Sequence, residues 1–165
     1  MNYDDSKQKG EEAEKKFKDW LDKHKIHYFY IKQDIEFFSA AFKDSFSGKR
    51  PDFMILIPNL GLIFVDIKYK KINPDYKNYP IDVEETKIYS SLQRKFNLHI
   101  WYVISNSDFD YKTWLWIPVS KVIESGVTER ISNKSGESFF PIPSQDFIQI
   151  ADNDSLDRLF SKMLN

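Results

Sequence analysis

Between Arg50 and Lys71 the sequence reads RPDFMILIPNLGLIFVDIKYKK, two apolar runs with ionisable groups set at their ends. Phe53 to Ile57 and Leu62 to Val65 are apolar enough for buried strands, and Pro58-Asn59-Leu60-Gly61 supplies a short turn, so the stretch predicts an antiparallel hairpin. Strand side chains alternate between faces, which points Asp66 and Lys68 the same way and Ile67 into the core. Asp52 opens the first strand, and the start of one strand of an antiparallel pair lies beside the end of the next. Asp52, Asp66 and Lys68 are therefore expected to meet at one open end of the sheet. Two carboxylates and an ammonium placed there are costly unless a cation and an anion fill the gap. Magnesium suits such a gap, because it takes hard oxygen ligands from one or two carboxylates and leaves its other positions to water and phosphate oxygens. A phosphodiester is the substrate this implies.

A chain of 165 residues with 41% hydrophobic residues and only five glycines is expected to form one domain, residues 1–165, around a single core. With no cysteine, a disulfide framework and a thiolate zinc site are both excluded. The opening MNYDDSKQKGEEAEKK lacks the apolar core of a signal peptide, and no apolar run approaches the ~20 residues of a membrane span. A cytoplasmic location without membrane association is the expectation. The net charge of -1 argues against a broadly basic nucleic-acid binder. Its distribution argues the other way, since residues 43–77 hold seven Lys or Arg (43, 49, 50, 68, 70, 71, 77) against four Asp (44, 52, 66, 75).

Residues 10–25 place Ala13, Phe17, Trp20 and Leu21 on one face of an amphipathic helix flanked by Glu14. His27 to Ile35 is rich in aromatic and branched residues and is expected to be a strand. His24 and His27 lack a third ligand and are assigned a structural or surface role. Phe38 to Arg50 reads as a loop entering the site, with Lys49 and Arg50 as phosphate contacts or as ordinary surface charge. The connection after Lys68 carries Lys70, Lys71, Tyr69, Tyr76 and Tyr79. Its lysines could track a nucleic-acid backbone and its tyrosines stack on bases, or the tyrosines could pack the loop onto the sheet. Asp82-Val83-Glu84-Glu85 is a capping box for a helix with Val83, Ile88, Leu92 and Phe96 as its apolar stripe, and Glu85 is read there as a cap residue. His99 to Ser105 and Thr113 to Val119 are strands. Trp114 and Trp116 fall on one face and Leu115 and Ile117 on the other, so helices should cover both sides of the sheet. Gly126 to Gly136 is turn-like, Phe147 to Ile150 is a strand, and Asp154 to Leu164 is a helix with Leu156, Leu159, Phe160 and Met163 inward.

Pro51-Asp52 followed by Asp66-Ile67-Lys68 at the end of the next strand resembles the PD-(D/E)XK motif of restriction-endonuclease-like nucleases. Lys9-Gly10-Glu11-Glu12-Ala13-Glu14 resembles the opening of archaeal Holliday-junction resolvases, and Trp116-Ile117-Pro118 resembles a Phe-Ile-Pro segment late in them. The resemblance spans about Lys9 to Val122. It departs from the resolvase pattern at Glu85, which stands where those proteins carry glutamine. It implies an α/β core with a mixed central sheet flanked by helices, and hydrolysis of DNA phosphodiesters with magnesium, or manganese in its place. Asp52 and Asp66 would hold the metal, with the Ile67 carbonyl and Glu14 completing its shell. Lys68 would position the attacking water and stabilise developing charge. Lys49, Arg50, Lys70 and Lys71 would contact DNA. A homodimer, or membership of a larger complex, is the assembly entertained. The alternative is a degenerate nuclease-fold module that binds DNA or serves a structural role without catalysis.

Overall fold

In the computed structural model, which describes residues 3–31 and 34–161, a long first helix and a mixed sheet build the frame that holds the acids. Helix α1 (Tyr3–Lys23) buries Ala13, Phe17, Trp20 and Leu21, the four residues expected on its apolar face. It begins seven residues before the expected start at Gly10. The added turns are polar and solvent-facing; the i,i+4 pair Lys9–Asp5, at 2.9 Å, supports them, and Lys7–Glu11, at 3.9 Å, spans the glycine.

Strands β1 (His27–Tyr30), β2 (Phe53–Ile57) and β3 (Gly61–Tyr69) form an antiparallel meander, and β2 and β3 are the expected hairpin with Asn59 at φ 65° in its turn. Opposite Phe53 lies Val65, so β3 runs on past the start of β2, and Asp66, Ile67 and Lys68 sit on this overhang. There β3 pairs in parallel with β5 (Ile100–Ser105) after a crossover through helix α3 (Val83–Phe96). Next come β6 (Thr113–Pro118) and β9 (Ile148–Ala151), both antiparallel, completing a six-stranded sheet in the order β1-β2-β3-β5-β6-β9.

Each face of this sheet is covered. Under α1, the Phe17 ring meets Phe53, Trp114 and Trp116 at centroid distances of 5.5, 4.9 and 5.7 Å. On the other side Tyr102, Ile104, Leu115 and Ile117 pack with Tyr89 and Leu92 of α3 and Val122 of α4 (Val119–Glu124). The alternation Trp114/Leu115/Trp116/Ile117 thus separates the two cores as expected. Among the described residues no helix is long and apolar enough to cross a membrane.

Several elements differ from the sequence expectation. The strand expected over His27 to Ile35 stops at Tyr30, and a single 3₁₀ turn follows at Ile35–Phe37. Within the expected loop from Phe38 to Arg50 lies helix α2 (Ala40–Phe46), capped by Ser39, whose hydroxyl accepts from the Phe42 N–H at 3.2 Å. A second sheet comprises β4 (Asn78–Asp82), in the stretch read as a connection, β7 (Arg130–Ile131), in the stretch read as turn-like, and β8 (Ser138–Pro143), to which the sequence reading assigns no element. Tyr79 is buried there against Phe147, at 5.3 Å between centroids, whereas Tyr76 is exposed. In α3 the apolar stripe runs through Val83, Tyr89 and Leu92, and Phe96 is 52% exposed. Within the described residues the last helix, α5, covers Arg158–Ser161 and so starts four residues after the expected Asp154, and Met163 and Leu164 lie outside the described residues.

Candidate active site

Asp52 precedes β2, and its buried carboxylate accepts the Ile67 N–H through Oδ2 at 2.7 Å, while its own N–H donates to the Val65 carbonyl at 2.9 Å. The side chain thus takes the ladder position that β2 leaves empty beside β3. Because the N–H and C=O of a strand residue face the same side, the Ile67 carbonyl also faces this gap. Asp66 is buried one residue earlier, and Tyr89 of α3 donates its hydroxyl to Asp66 Oδ1 at 2.7 Å.

Lys68 reaches back between two acids. Its Nζ lies 2.6 Å from Asp66 Oδ2 and 2.8 Å from Glu85 Oε1. Both oxygens are buried, and the Lys68 ammonium is the group that holds them. Glu85 Oε2 lies 3.5 Å from Lys49 Nζ. Its role is where the sequence reading needs correction. The backbone N–H of Glu85 donates to the capping Asp82 carboxylate at 2.6 Å, but the Glu85 side chain enters the site instead of returning to the cap. On α3, Glu85 and Tyr89 are four apart and share a face. That spacing could have flagged both, yet a capping box accounts for the first and an apolar stripe hides the second.

Glu14, half-buried on α1, accepts the Tyr30 hydroxyl at 3.1 Å and lines the same cavity of about 390 Å³ as Asp52, Asp66, Lys68 and Glu85. Lys49 and Arg50 line it as well. Arg50 donates to the Gly48 carbonyl and lies over the Phe38 ring, 4.6 Å from its centroid, which commits much of its guanidinium to the loop. Lys70 and Lys71 are not brought into this cavity: they line a neighbouring cleft, and Lys71 pairs with Asp108 at 2.8 Å. His24 bridges the carbonyls of Trp20 and Asp152 at 2.8 and 2.6 Å, the structural role expected of it.

The charges are not balanced. Asp52, Asp66 and Glu85 are buried; among the described residues Lys68 faces Asp66 and Glu85, and the more exposed Lys49 reaches Glu85. Burial, then the neighbouring Asp66 and Glu14, push the Asp52 pKa well above the carboxylate range, against the Ile67 N–H. Burial likewise pushes Asp66 up to about 6, in spite of Lys68 beside it. Burial opposes the charge of Glu85 too, yet Lys68 and Lys49 together hold its pKa below the usual value. Burial also opposes the ammonium of Lys68, but Asp66 and Glu85 outweigh it and keep the group protonated. Glu14 is raised by burial, which outweighs the Tyr30 hydroxyl and Lys68.

Among the described residues no three His, Asp or Glu side chains form a ready-made metal cluster. The available donors are the second oxygen of Asp52, Asp66 Oδ2 and the Ile67 carbonyl, all hard oxygens. That set fits magnesium or manganese, which take one or two carboxylates and leave the rest of the shell to water and substrate. Asp52 and Asp66, both raised chiefly by burial and set beside further acids, make a donor set that suits a cation.

Tyr89→Phe tests how Asp66 is held. Loss of the hydroxyl leaves Asp66 Oδ1 without its donor, and the variant is expected to be about 1 kcal/mol less stable in urea unfolding. A variant as stable as the parent protein would show that the hydroxyl contributes nothing there.

No family model and no curated protein matches the chain. Among solved structures, a Holliday junction resolvase from Archaeoglobus fulgidus superposes with a TM-score of 0.51 at 14% identity, over 86% of this chain and 92% of that one. A bacterial homing endonuclease gives 0.45 at 14% identity, over 92% of this chain and 78% of its own. A nuclease from a fusselovirus gives 0.45 at 12% identity, over 90% and 87%. The mixed six-stranded sheet flanked by helices, and its superposition on the archaeal resolvase, identify the architecture of this chain as the restriction-endonuclease-like fold.

Proposed function

We propose that the chain is a metal-dependent endonuclease that hydrolyses DNA phosphodiester bonds. The observation that carries this reading is the meeting of Asp52, Asp66, the Ile67 backbone and Lys68 in one cavity at the β3 overhang, with Glu14 on its rim. Asp52, Asp66 and the Ile67 carbonyl would hold magnesium or manganese, with Glu14 in reach of its outer shell. When bound, the ion supplies a water of lowered pKa and neutralises charge on the phosphate. Lys68 orients the attacking water and offers its positive charge to the developing oxyanion. Glu85 keeps Lys68 charged and fixed in place, and Tyr89 fixes the Asp66 carboxylate. Lys49, at the mouth of the cavity, meets the phosphate backbone.

One observation favours a second reading. The Lys68 ammonium already has two carboxylates within 3 Å, so the cluster is partly self-neutralised and would suit a non-catalytic DNA-binding module. Supercoiled plasmid and a four-way junction, the latter because the fold is shared with a junction resolvase, separate the two. Nicking is expected with magnesium and not with EDTA. Calcium is expected to support binding with little cleavage, since its longer, looser coordination places the water poorly. Equal turnover with calcium, or cleavage that survives EDTA, would remove the metal from the mechanism. DNA binding without cleavage under any ion would favour the module.

A further inference from the structure

Beyond Lys68 the open end of β3 continues into a second concavity. One wall is Lys70 and the connection leading to Asn78; the other is the hairpin of β7 and β8, whose turn carries Lys134 and Ser135. The cleft has a volume of about 470 Å³. Its floor is β4, ending at Asp82, which caps α3 through the N–H of Glu85. Lys68 and Lys70 on one side, and Glu85 and Asp82 on the other, therefore join this cleft to the acid-lined cavity. Two residues of strand span about 6.6 Å, so the cleft opens roughly one nucleotide step from Lys68.

The charges in the cleft point to an anion. Lys70 is half-buried, and among the described residues its ammonium has no hydrogen bond or ion pair, while its backbone is pinned by Asn106, which donates to the Lys70 carbonyl at 2.8 Å. A half-buried cation without a direct partner is costly, and burial together with the nearby Lys68 lowers its pKa against Glu85, Asp82 and Glu137. Lys134 is exposed at the turn and is likewise unpaired among the described residues. Of the acids, Glu85, Asp82 and Glu137 all act on Lys70, but Glu85 is already held by Lys68 and Lys49, and Asp82 accepts from the α3 N-terminus. Phe139, on the same wall, offers an apolar surface beside the cations.

We infer that this cleft is the track for the nucleic-acid strand as it leaves the catalytic cavity, with Lys70 and Lys134 contacting successive backbone phosphates and Phe139 contacting a sugar or base. The inference rests on the nuclease reading for the identity of the strand. It makes the second sheet a substrate-binding wall.

The absence of cysteine allows a direct test, since Ser135→Cys carries the only thiol in the chain. Attached to that thiol, a photoactivatable aryl azide is expected to cross-link bound DNA in calcium buffer. The same label on Leu60→Cys, exposed at the far end of the β2–β3 hairpin, is expected not to. In parallel, Lys70→Ala/Lys134→Ala is expected to bind a fluorescent oligonucleotide about tenfold more weakly near 0.15 M salt, with a log–log salt slope smaller by about 1.5 to 2. If the parent protein binds and cleaves DNA but Ser135→Cys gives no cross-link and the salt slope is unchanged, the cleft is not the track and the nuclease reading stands. If the parent protein neither binds nor cleaves DNA, both fall together.

Discussion

DNA cleavage is expected to vanish in Asp66→Ala and to drop about 10²-fold or more in Lys68→Ala, and the two losses should differ in kind. Asp66 stands at the centre of the cluster: its carboxylate receives Tyr89 at 2.7 Å on one oxygen and faces Lys68 at 2.6 Å on the other. Truncating it removes an ion ligand and leaves Lys68 paired to Glu85 alone. Truncating Lys68 leaves Asp52 and Asp66 in place, so magnesium should still bind and only the charge that stabilises the reacting phosphate is gone. Single-turnover cleavage with titrated magnesium separates the cases. In Lys68→Ala the magnesium midpoint should move little while the maximal rate falls; in Asp66→Ala no magnesium concentration should restore the rate. Glu84→Ala serves as the control, because Glu84 is exposed, adjoins Glu85 on the same helix and pairs with Lys87 on the helix surface, and it should cleave like the parent protein. Full nicking by Asp66→Ala, purified free of contaminating nucleases, would end the nuclease proposal.

What could be read from the sequence was the part governed by a two-residue period. The alternation in LGLIFVDIKYK places Asp66 and Lys68 together and Ile67 in the core, and the structure keeps that register through Tyr69. Turn chemistry at Pro58 to Gly61 sets the hairpin, and the hairpin sets Asp52 beside Ile67. The second sheet was not legible because its strands carry prolines. In β4 and β8, Pro80 lies opposite Pro141, and Pro143 ends the ladder. Proline lacks the donor a ladder needs, so such a stretch reads as a loop until its partner is known. Helix α2 was missed for a different reason: its seven residues carry no long apolar repeat, and its Phe46 is buried by tertiary contacts that the local sequence does not announce. Glu85 was legible as a residue but not as a role. A glutamate three residues after Asp82 satisfies the capping pattern, and only the approach of the α3 N-terminus to β3 turns its side chain towards Lys68.

The same cluster predicts opposite stability changes for two substitutions that both disable the site. With Asp52, Asp66 and Glu85 buried around Lys68, removing the charge of Asp66 should relieve the folded state of ion-free protein, and removing the cation should burden it. The Asp66 pKa, pushed from 3.8 up to about 6, means that the native protein holds this proton more tightly than the unfolded chain does. The stabilisation from that proton is complete below about pH 4 and is lost as pH rises through about 6, so at pH 7.5 the ionised form costs the fold about 3 kcal/mol. Asp52 acts in the same sense. Glu85, whose pKa is lowered, acts in the opposite sense, and its contribution is lost only as pH falls through its lower folded-state value. Asp66→Asn keeps the shape and can still accept the Tyr89 hydroxyl, so in EDTA at pH 7.5 it should be more stable than the parent by up to about 3 kcal/mol, a gap that closes towards pH 4.5. Lys68→Ala leaves the buried carboxylates without their counter-charge and should be less stable by about 3 to 5 kcal/mol at pH 7.5, recovering as the acids protonate. Magnesium should raise the parent's stability by mass action and that of Asp66→Asn much less. Urea unfolding at the two pH values, with EDTA and with magnesium, measures all of these. If Asp66→Asn is less stable than the parent in EDTA and magnesium shifts both proteins equally, the buried acids are structural partners of Lys68 and do not form a cation site.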